Sequence, residues 1–537
     1  MSDSTRTGCV SRGLALGHWS RPGRAVRRAS RLGLGVVALA AVGCWATSLG
    51  TAQEKTIREP VMAGQFYPAE AAAVRAALDG YLADALPPRP DRPIALVVPH
   101  AGWIYSGQIA ADGFAQAAGH AYDVVVLLGT NHTGAASGRA AVHDGDGFRT
   151  PLGVAPIDRD LAVSLASLES RVVLDRSAHA REHSVEVQVP LVQRLFPSAR
   201  ILPIVVGTDE PAVCARVGRA LAKALGARRA LIVASSDLSH YPAAKEAAAV
   251  DRRTLEAIAS LDPERLRAAS RAEMERGVAG LDTVACGEAP IMVAMAAASA
   301  LGATRGAVIS YANSGDVAIG EAGRVVGYGA VVFTTGGKGA DTSSLAAAPG
   351  PSADAALTAD DRTALLTLAR RSLERYLTLG TLPLPRGFRS RMPADRGVFV
   401  TLKKKGVLRG CIGRLEAESP LPLLVSRMAL ESALGDPRFP HVTAAELDAL
   451  EIEISVLTPL RRVPQPMGIV IGRDGVLMRK GNASAVFLPQ VAREEGWDLE
   501  ETLGHLSAKA GLDADAWRAG ASFWTFQADV FRERRSR

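Results

Sequence analysis

At 537 residues the chain exceeds one ordinary core, and its 48% hydrophobic content supplies ample apolar surface, so two domains plus a tail are expected. The net charge of +7 is concentrated at the start: residues 1–31 hold seven arginines against one acid, Asp3, which leaves about +1 for everything that follows. A folded part this close to neutral excludes nucleic acid as a partner.

The first segment, 1–52, has a secretory layout of Arg-rich start, apolar run from Leu32 to Val42, and small residues at Gly50 and Ala52. It predicts an export signal and a periplasmic or membrane-anchored protein. Arg27-Arg28 resembles a twin-arginine signal and Ala41-Val42-Gly43-Cys44 a lipoprotein cleavage site. The apolar run is short and Gly/Ala-rich for a membrane span. Membrane contact is thus expected only through an uncleaved or lipidated N-terminus. A cytoplasmic protein follows if the start codon is misassigned. Cleavage after Ala52 would leave Cys214, Cys286 and Cys411, three scattered thiols that make no disulfide framework.

From 58 to 335 the pattern is that of an α/β domain. A periodic helix is expected over 71–85, and aliphatic strands over 94–98, 124–128, 201–206, 230–234, 306–311 and 325–334. Amphipathic stretches such as 211–225 and 251–260 separate most of them. Continuous apolar strands alternating with helices predict a mixed sheet flanked by helices on both faces. Residues 336–359 turn to Gly, Ser, Ala, Pro and Asp without periodicity and read as a flexible linker. A second, smaller α+β domain follows over 360–533. Its expected elements are a helix at 362–377, a hairpin of 397–403 and 407–415, strands at 451–457, 475–479 and 485–488, and a helix at 499–509.

His100 in Pro99-His100-Ala101-Gly102 and His132 in Gly129-Thr130-Asn131-His132 each follow an apolar strand and enter a Gly-containing turn. A parallel sheet delivers ligands to a shared site at such positions. Cys286, in Ala285-Cys286-Gly287-Glu288, follows a shorter and less strand-like run. Two imidazoles and a thiolate suit copper, iron or zinc with a position left open. A thiol in that setting is otherwise a small buried hydrophobe, and Glu288 is an alternative third ligand that would complete a two-His, one-carboxylate set for iron. His183, in Glu182-His183-Ser184-Val185-Glu186, is expected near a helix start, facing a cleft or serving as a cap. Asp237 and His240 follow the strand ending at 234. Either they pair, the carboxylate fixing the imidazole tautomer, or they form a structural turn. Cys411 beside Arg409 reads as a thiol of lowered pKa or as part of a tight strand pairing. Phosphate-binding loops and the Gly-x-Ser-x-Gly elbow are missing from the sequence.

Taken in order, Pro99-His100-Ala101-Gly102 with Tyr105-Ser106-Gly107, Gly129-Thr130-Asn131-His132, Glu182 to Glu186, Ser235 to His240, and Asp282-Thr283 with Cys286-Gly287 resemble the Memo family across about 58–335. That family resembles class III extradiol dioxygenases in fold and holds a metal with two His and one Cys. The resemblance implies His100, His132 and Cys286 as ligands, with His183, Asp237 and His240 lining the pocket as the candidate catalytic residues, and His183 and His240 are expected to move protons. It implies copper-dependent redox chemistry, with iron as the competing metal and zinc as a further possibility. Thr133 departs from animal members, which have a second His there. Leu408 to Gly413 and Asp436-Pro437-Arg438-Phe439 make the second half similar to the AMMECR family. Proteins of both families often occur beside a radical-SAM protein, which implies such a partner. The expectation is therefore a metal-binding, redox-active domain joined to an accessory domain. Its rivals are a scaffold whose cleft holds a small molecule or peptide, and a ring-opening dioxygenase if Glu288 meets the metal.

Overall fold

The computed structural model describes residues 55–345, 356–386, 388, 392 and 396–533. The expected export segment at 1–52 lies outside them, as does 346–355 of the expected linker. Among the described residues no helix is long and apolar enough to cross a membrane.

Nine strands of the first half form one mixed sheet. Its centre is four adjacent parallel strands, Ala95–Val98, Ala230–Ser235, Val124–Thr130 and Arg200–Val206. Antiparallel neighbours close both sides, Gly327–Thr334 next to Ala95–Val98 and Ala140–Val142 next to Arg200–Val206. The central strands are buried on both faces because the side-chain period is two. Val124, Val126 and Leu128 enter one hydrophobic core, and Val125 and Leu127 enter the other. Helices Pro211–Leu225 and Glu288–Ala300 cover the first face, Ala71–Ala83 and Trp103–Ala115 the second.

The smaller second half has two four-stranded antiparallel sheets. Strands Val398–Lys404 and Val407–Arg414 form the expected hairpin, turning at Lys405 and Gly406, whose φ values are +54° and +79°. Helix Leu421–Leu434 and helix Ala359–Leu379 back this sheet.

Two expectations about the junction need correction. Part of the expected linker is structured: Gly339–Asp341 pairs in parallel with Arg305–Asn313, and Asp341 accepts from Arg89 and Arg305, both at 2.7 Å. Those ionic contacts outweigh a composition that favours coil. Nor do the halves hang on a free tether. Arg371 and Arg375 pair with Asp84, and Arg386 donates to Asp112 at 3.0 Å. Val317 and Ala318 are buried in one cluster with Leu365, Leu424 and Val425, against which Ile104 and Tyr105 also pack. Arg427 donates to the carbonyls of Ala318 at 3.2 Å and Gly320 at 2.5 Å. Arg427→Met leaves both carbonyls without their charged donor, and thermal unfolding is expected to show a loss of about 1–2 kcal/mol.

Candidate metal centre

Three of the central parallel strands end side by side, and each delivers a chemical group two residues later. His100 follows Val98, Asp237 follows Ser235 and His132 follows Thr130. Because the strands are adjacent and parallel, these turns share one edge of the sheet. Cys286 arrives differently. It precedes Gly287, the N-cap of the 13-residue helix Glu288–Ala300, and so does not end a strand. A Cβ on Gly287 would lie 2.5 Å from that of Ser236, so only glycine lets this turn close on the strand end. The Gly287 amide donates to Ser236 Oγ at 2.8 Å. Gly129 serves similarly for the next segment, since its Cβ would sit 2.6 Å from Ser184 Oγ.

The result is a compact cluster. Ring centroids are 5.1 Å apart for His100 and His132, 5.4 Å for His100 and His183, and 4.4 Å for the stacked His132 and His183. Cys286 Sγ lies 3.2 Å from His100 Nε2 and 3.8 Å from the Asp237 carbonyl. Three overlapping sets have all their ligand atoms within 4.8 Å of one another: His100, His132 and Cys286; His132, Glu182 and His183; Asp237, His240 and Cys286.

The hydrogen bonds separate these sets. Glu182, almost fully buried, accepts from the His132 amide at 2.8 Å, His132 Nδ1 at 2.9 Å, and the His183 and Ser184 amides at 2.9 Å each. Its oxygens are committed to four donors, and it orients His132 with Nε2 left free. His100 is oriented in the same way, its Nδ1 3.1 Å from Ser235 Oγ, which Gln188 also contacts at 2.8 Å. Asp237 Oδ1 accepts from the His100 and Ala101 amides at 2.8 and 3.1 Å. The second set is spent on the hydrogen bonds of Glu182, whereas the first keeps both histidine Nε2 atoms and the Cys286 sulfur clear of Glu182 and Ser235, and the outer contacts are of the kind that fix ligand tautomers.

Two expectations change here. Glu288 points away from the cluster, 3.5 Å from Arg267, and joins none of the three sets. The helix it begins carries it past the site. Asp237 and His240 bring their ligand atoms within 4.8 Å of each other, but no hydrogen bond joins them, and Asp237 Oδ1 accepts from the amides of His100 and Ala101. His240 pairs by backbone with Thr283 and Val326, and its Nε2 is buried without a partner among the described residues. His183 precedes a short 3-10 turn at Glu186–Gln188, and its ring packs edge-on against Phe66. The roles of Glu182, Ser235 and Gln188 were not legible in sequence. The one hint was that Glu182 and Ser235 lie within the motifs.

Burial works against charge on most of these side chains. Burial, helped by the neighbouring His132, lowers His100 to a pKa of about 3. Burial and His100 lower His183 to about 4. Burial also lowers His240 and raises Asp237. Burial and the Asp237 carboxylate raise the Cys286 thiol well above its ordinary range, outweighing the helix N-terminus behind it. Glu182 is the exception: burial opposes its charge, but the His132 hydrogen bond and the Ser184 amide hold it ionised.

Behind the site, Asp251 accepts from the Ser239 amide at 2.9 Å and from the Tyr311 hydroxyl at 2.8 Å, bracing the turn that carries Asp237 and His240. Burial raises its carboxyl to about 7, so the folded chain keeps its proton near neutrality while the unfolded chain loses it above about 4. Stability from this group is therefore full at low pH and falls as pH rises from 4 to 7, by at most about 1.4 kcal/mol per unit. Asp251→Asn removes that fall. Its melting temperature should gain on the parent's between pH 5 and 7, and a constant difference would count against the assignment.

Comparison with known proteins gives two family matches. Residues 58–332 match the family described as Memo-like protein, and residues 366–531 match AMMECR1. A MEMO1 family protein of Aquifex aeolicus is 38% identical over 278 residues, 52% of this chain and 99% of its own. One from Methanopyrus kandleri is 36% identical over 292 residues, with the same two coverages. An uncharacterized protein of Pyrococcus horikoshii, known from a crystal structure, is 40% identical, covering 32% of this chain and 89% of its own with a TM-score of 0.30.

Proposed function

The chain belongs to the Memo-like family and carries an AMMECR1 domain after it, and from that premise we propose that His100, His132 and Cys286 bind a redox-active metal ion, copper or iron. One observation carries the reading. His100, His132 and Cys286 bring their ligand atoms within 4.8 Å of one another, while Glu182 and Ser235 take the two Nδ1 atoms that would otherwise compete. The donor set fits: two neutral imidazoles and a thiol that becomes thiolate on binding suit copper(I), iron or zinc. Such an ion, when bound, supplies electron transfer or oxygen chemistry.

The chain's own groups do the rest. His132, 30% exposed, stands at the mouth, while His100 forms the buried floor. His240, neutral and with Nε2 free, accepts a proton from a group bound over the floor, and His183, stacked on His132, does so on the other side. Asp237 holds the His100 turn in place through two amides. The second domain packs against Ile104 and Tyr105, at the start of helix Trp103–Ala115 just after the His100 turn, and so supports one wall. The ring-opening alternative loses support because Glu288 does not reach the pocket.

The test uses the purified full-length chain. Anaerobic loading with copper(I) or iron(II) should give one equivalent per chain by elemental analysis, and the loaded protein should take up oxygen in the presence of ascorbate. Binding without oxygen uptake or metal reduction moves the function to a metal-holding scaffold. No stoichiometric binding of copper, iron or zinc removes the proposal.

A further inference from the structure

The Leu408 to Gly413 segment takes no part in the metal pocket. It forms one wall of a separate cavity of about 280 Å³ in the AMMECR1 domain, where the two sheets meet. Phe399, Leu408, Val486 and Val491 make its apolar lining, and Lys509 reaches it from the end of helix Leu499–Lys509. Cavities at such seams, mostly apolar with a few convergent polar groups, are where small molecules bind.

Lys509 differs from the lysines of the nearby hairpin. Lys403 is bonded to Glu453 at 3.2 Å and Lys404 to Glu446 at 2.9 Å. Lys509 Nζ instead donates to the Val486 carbonyl at 3.0 Å and lies 4.7 Å from the Phe487 ring centre. A carbonyl and an aromatic face do not demand a charged amine. Burial, with Arg438 nearby, brings its pKa down to about 8. Gln490 also lines the cavity, and its Oε1, buried without a partner among the described residues, can accept from the hydroxyl that forms when an amine adds to a carbonyl. Glu453, paired with Lys403, and Glu494 also line the space, so no net positive charge there calls for a carboxylate ligand.

We propose that this cavity binds a small apolar aldehyde, which Lys509 captures as an imine. The neutral Nζ adds its lone pair to the carbonyl carbon to give a carbinolamine. That intermediate loses its hydroxyl and one N–H proton as water, leaving a C=N bond. Aldehyde and amine become imine and water, and nothing is oxidised or reduced. The inference concerns a different domain from the metal pocket and stands independently of it.

Benzaldehyde with sodium cyanoborohydride is the probe, applied to the full-length chain and followed by peptide mass mapping. A pKa near 8 gives Lys509 roughly a hundredfold more neutral amine at pH 7.5 than an ordinary lysine, partly offset by its lower basicity. Benzylation at Lys509 should run at least about tenfold faster than at the exposed turn residue Lys405. Its rate should climb with a midpoint near pH 8, and benzyl alcohol, which fills the cavity without condensing, should slow it at Lys509 alone. Lys509→Met should lose this product and keep the labelling of other lysines. Labelling in order of exposure, a midpoint near 10, or no protection by benzyl alcohol would each overturn the proposal, and all are read on the native chain.

Discussion

Replacing His100 by alanine, or Cys286 by serine, is expected to weaken copper(I) binding by more than about a hundredfold, because loss of an outer contact alone typically costs 10–100-fold and these groups are the donors themselves. The two substitutions fail for different reasons. His100→Ala removes the buried imidazole and leaves Ser235 Oγ with one partner fewer. Some loss of stability accompanies it, so the melting temperature must be recorded beside the titration. Cys286→Ser keeps the shape and replaces a soft donor with a hard one, which discriminates against copper(I) more than against zinc. His183→Ala is the control within the same pocket. It removes a stacked ring and leaves the three donor atoms in place, so affinity should stay within about tenfold of the parent. Competition titration with a chromophoric copper(I) chelator reads all three. Parent-like affinity in both His100→Ala and Cys286→Ser would sink the site as drawn.

Glu182→Gln should lower metal affinity by about 10–100-fold while leaving all three donors present. Oε1 of Glu182 takes His132 Nδ1 and two amides, and Oε2 takes a third amide. A glutamine has one oxygen for these four donors. In either orientation its NH2 group faces an N–H, leaving buried donors unpaired at about 1–3 kcal/mol. The His132 ring then loses the contact that fixes its tautomer. At saturating metal the stoichiometry should recover to one per chain, which distinguishes a lost orienting contact from a lost ligand. Unchanged affinity together with unchanged stability would remove Glu182 from the site.

Both effects bear on how the site is encoded. His100 and His132 were legible because long apolar runs, 94–98 and 124–128, stop abruptly at a Gly-containing turn, and the strands run to Val98 and Thr130. Helices 211–225 and 499–509 were equally plain from periodicity. Short strands such as Ala140–Val142 and Val172–Leu174 were not, since three residues carry too little pattern and take their conformation from the sheet beside them. Cys286 was placed at a strand-like end, yet it sits at a helix start. Its residue type was informative and its local run was not.

Local sequence by itself determined the α/β character of the first half, the α+β character of the second, and the identity of the groups able to do chemistry. Strand periodicity and turn glycines act over a few residues, and so they can be read there. Only the tertiary structure decided that Cys286 faces His100 from 186 positions away, that Glu288 does not, and that Glu182 and Ser235 orient the two histidines. Those outcomes depend on which parallel strands lie side by side and on where a helix enters the sheet edge. They are set by the packing of distant segments, a long-range property that no short window of residues contains.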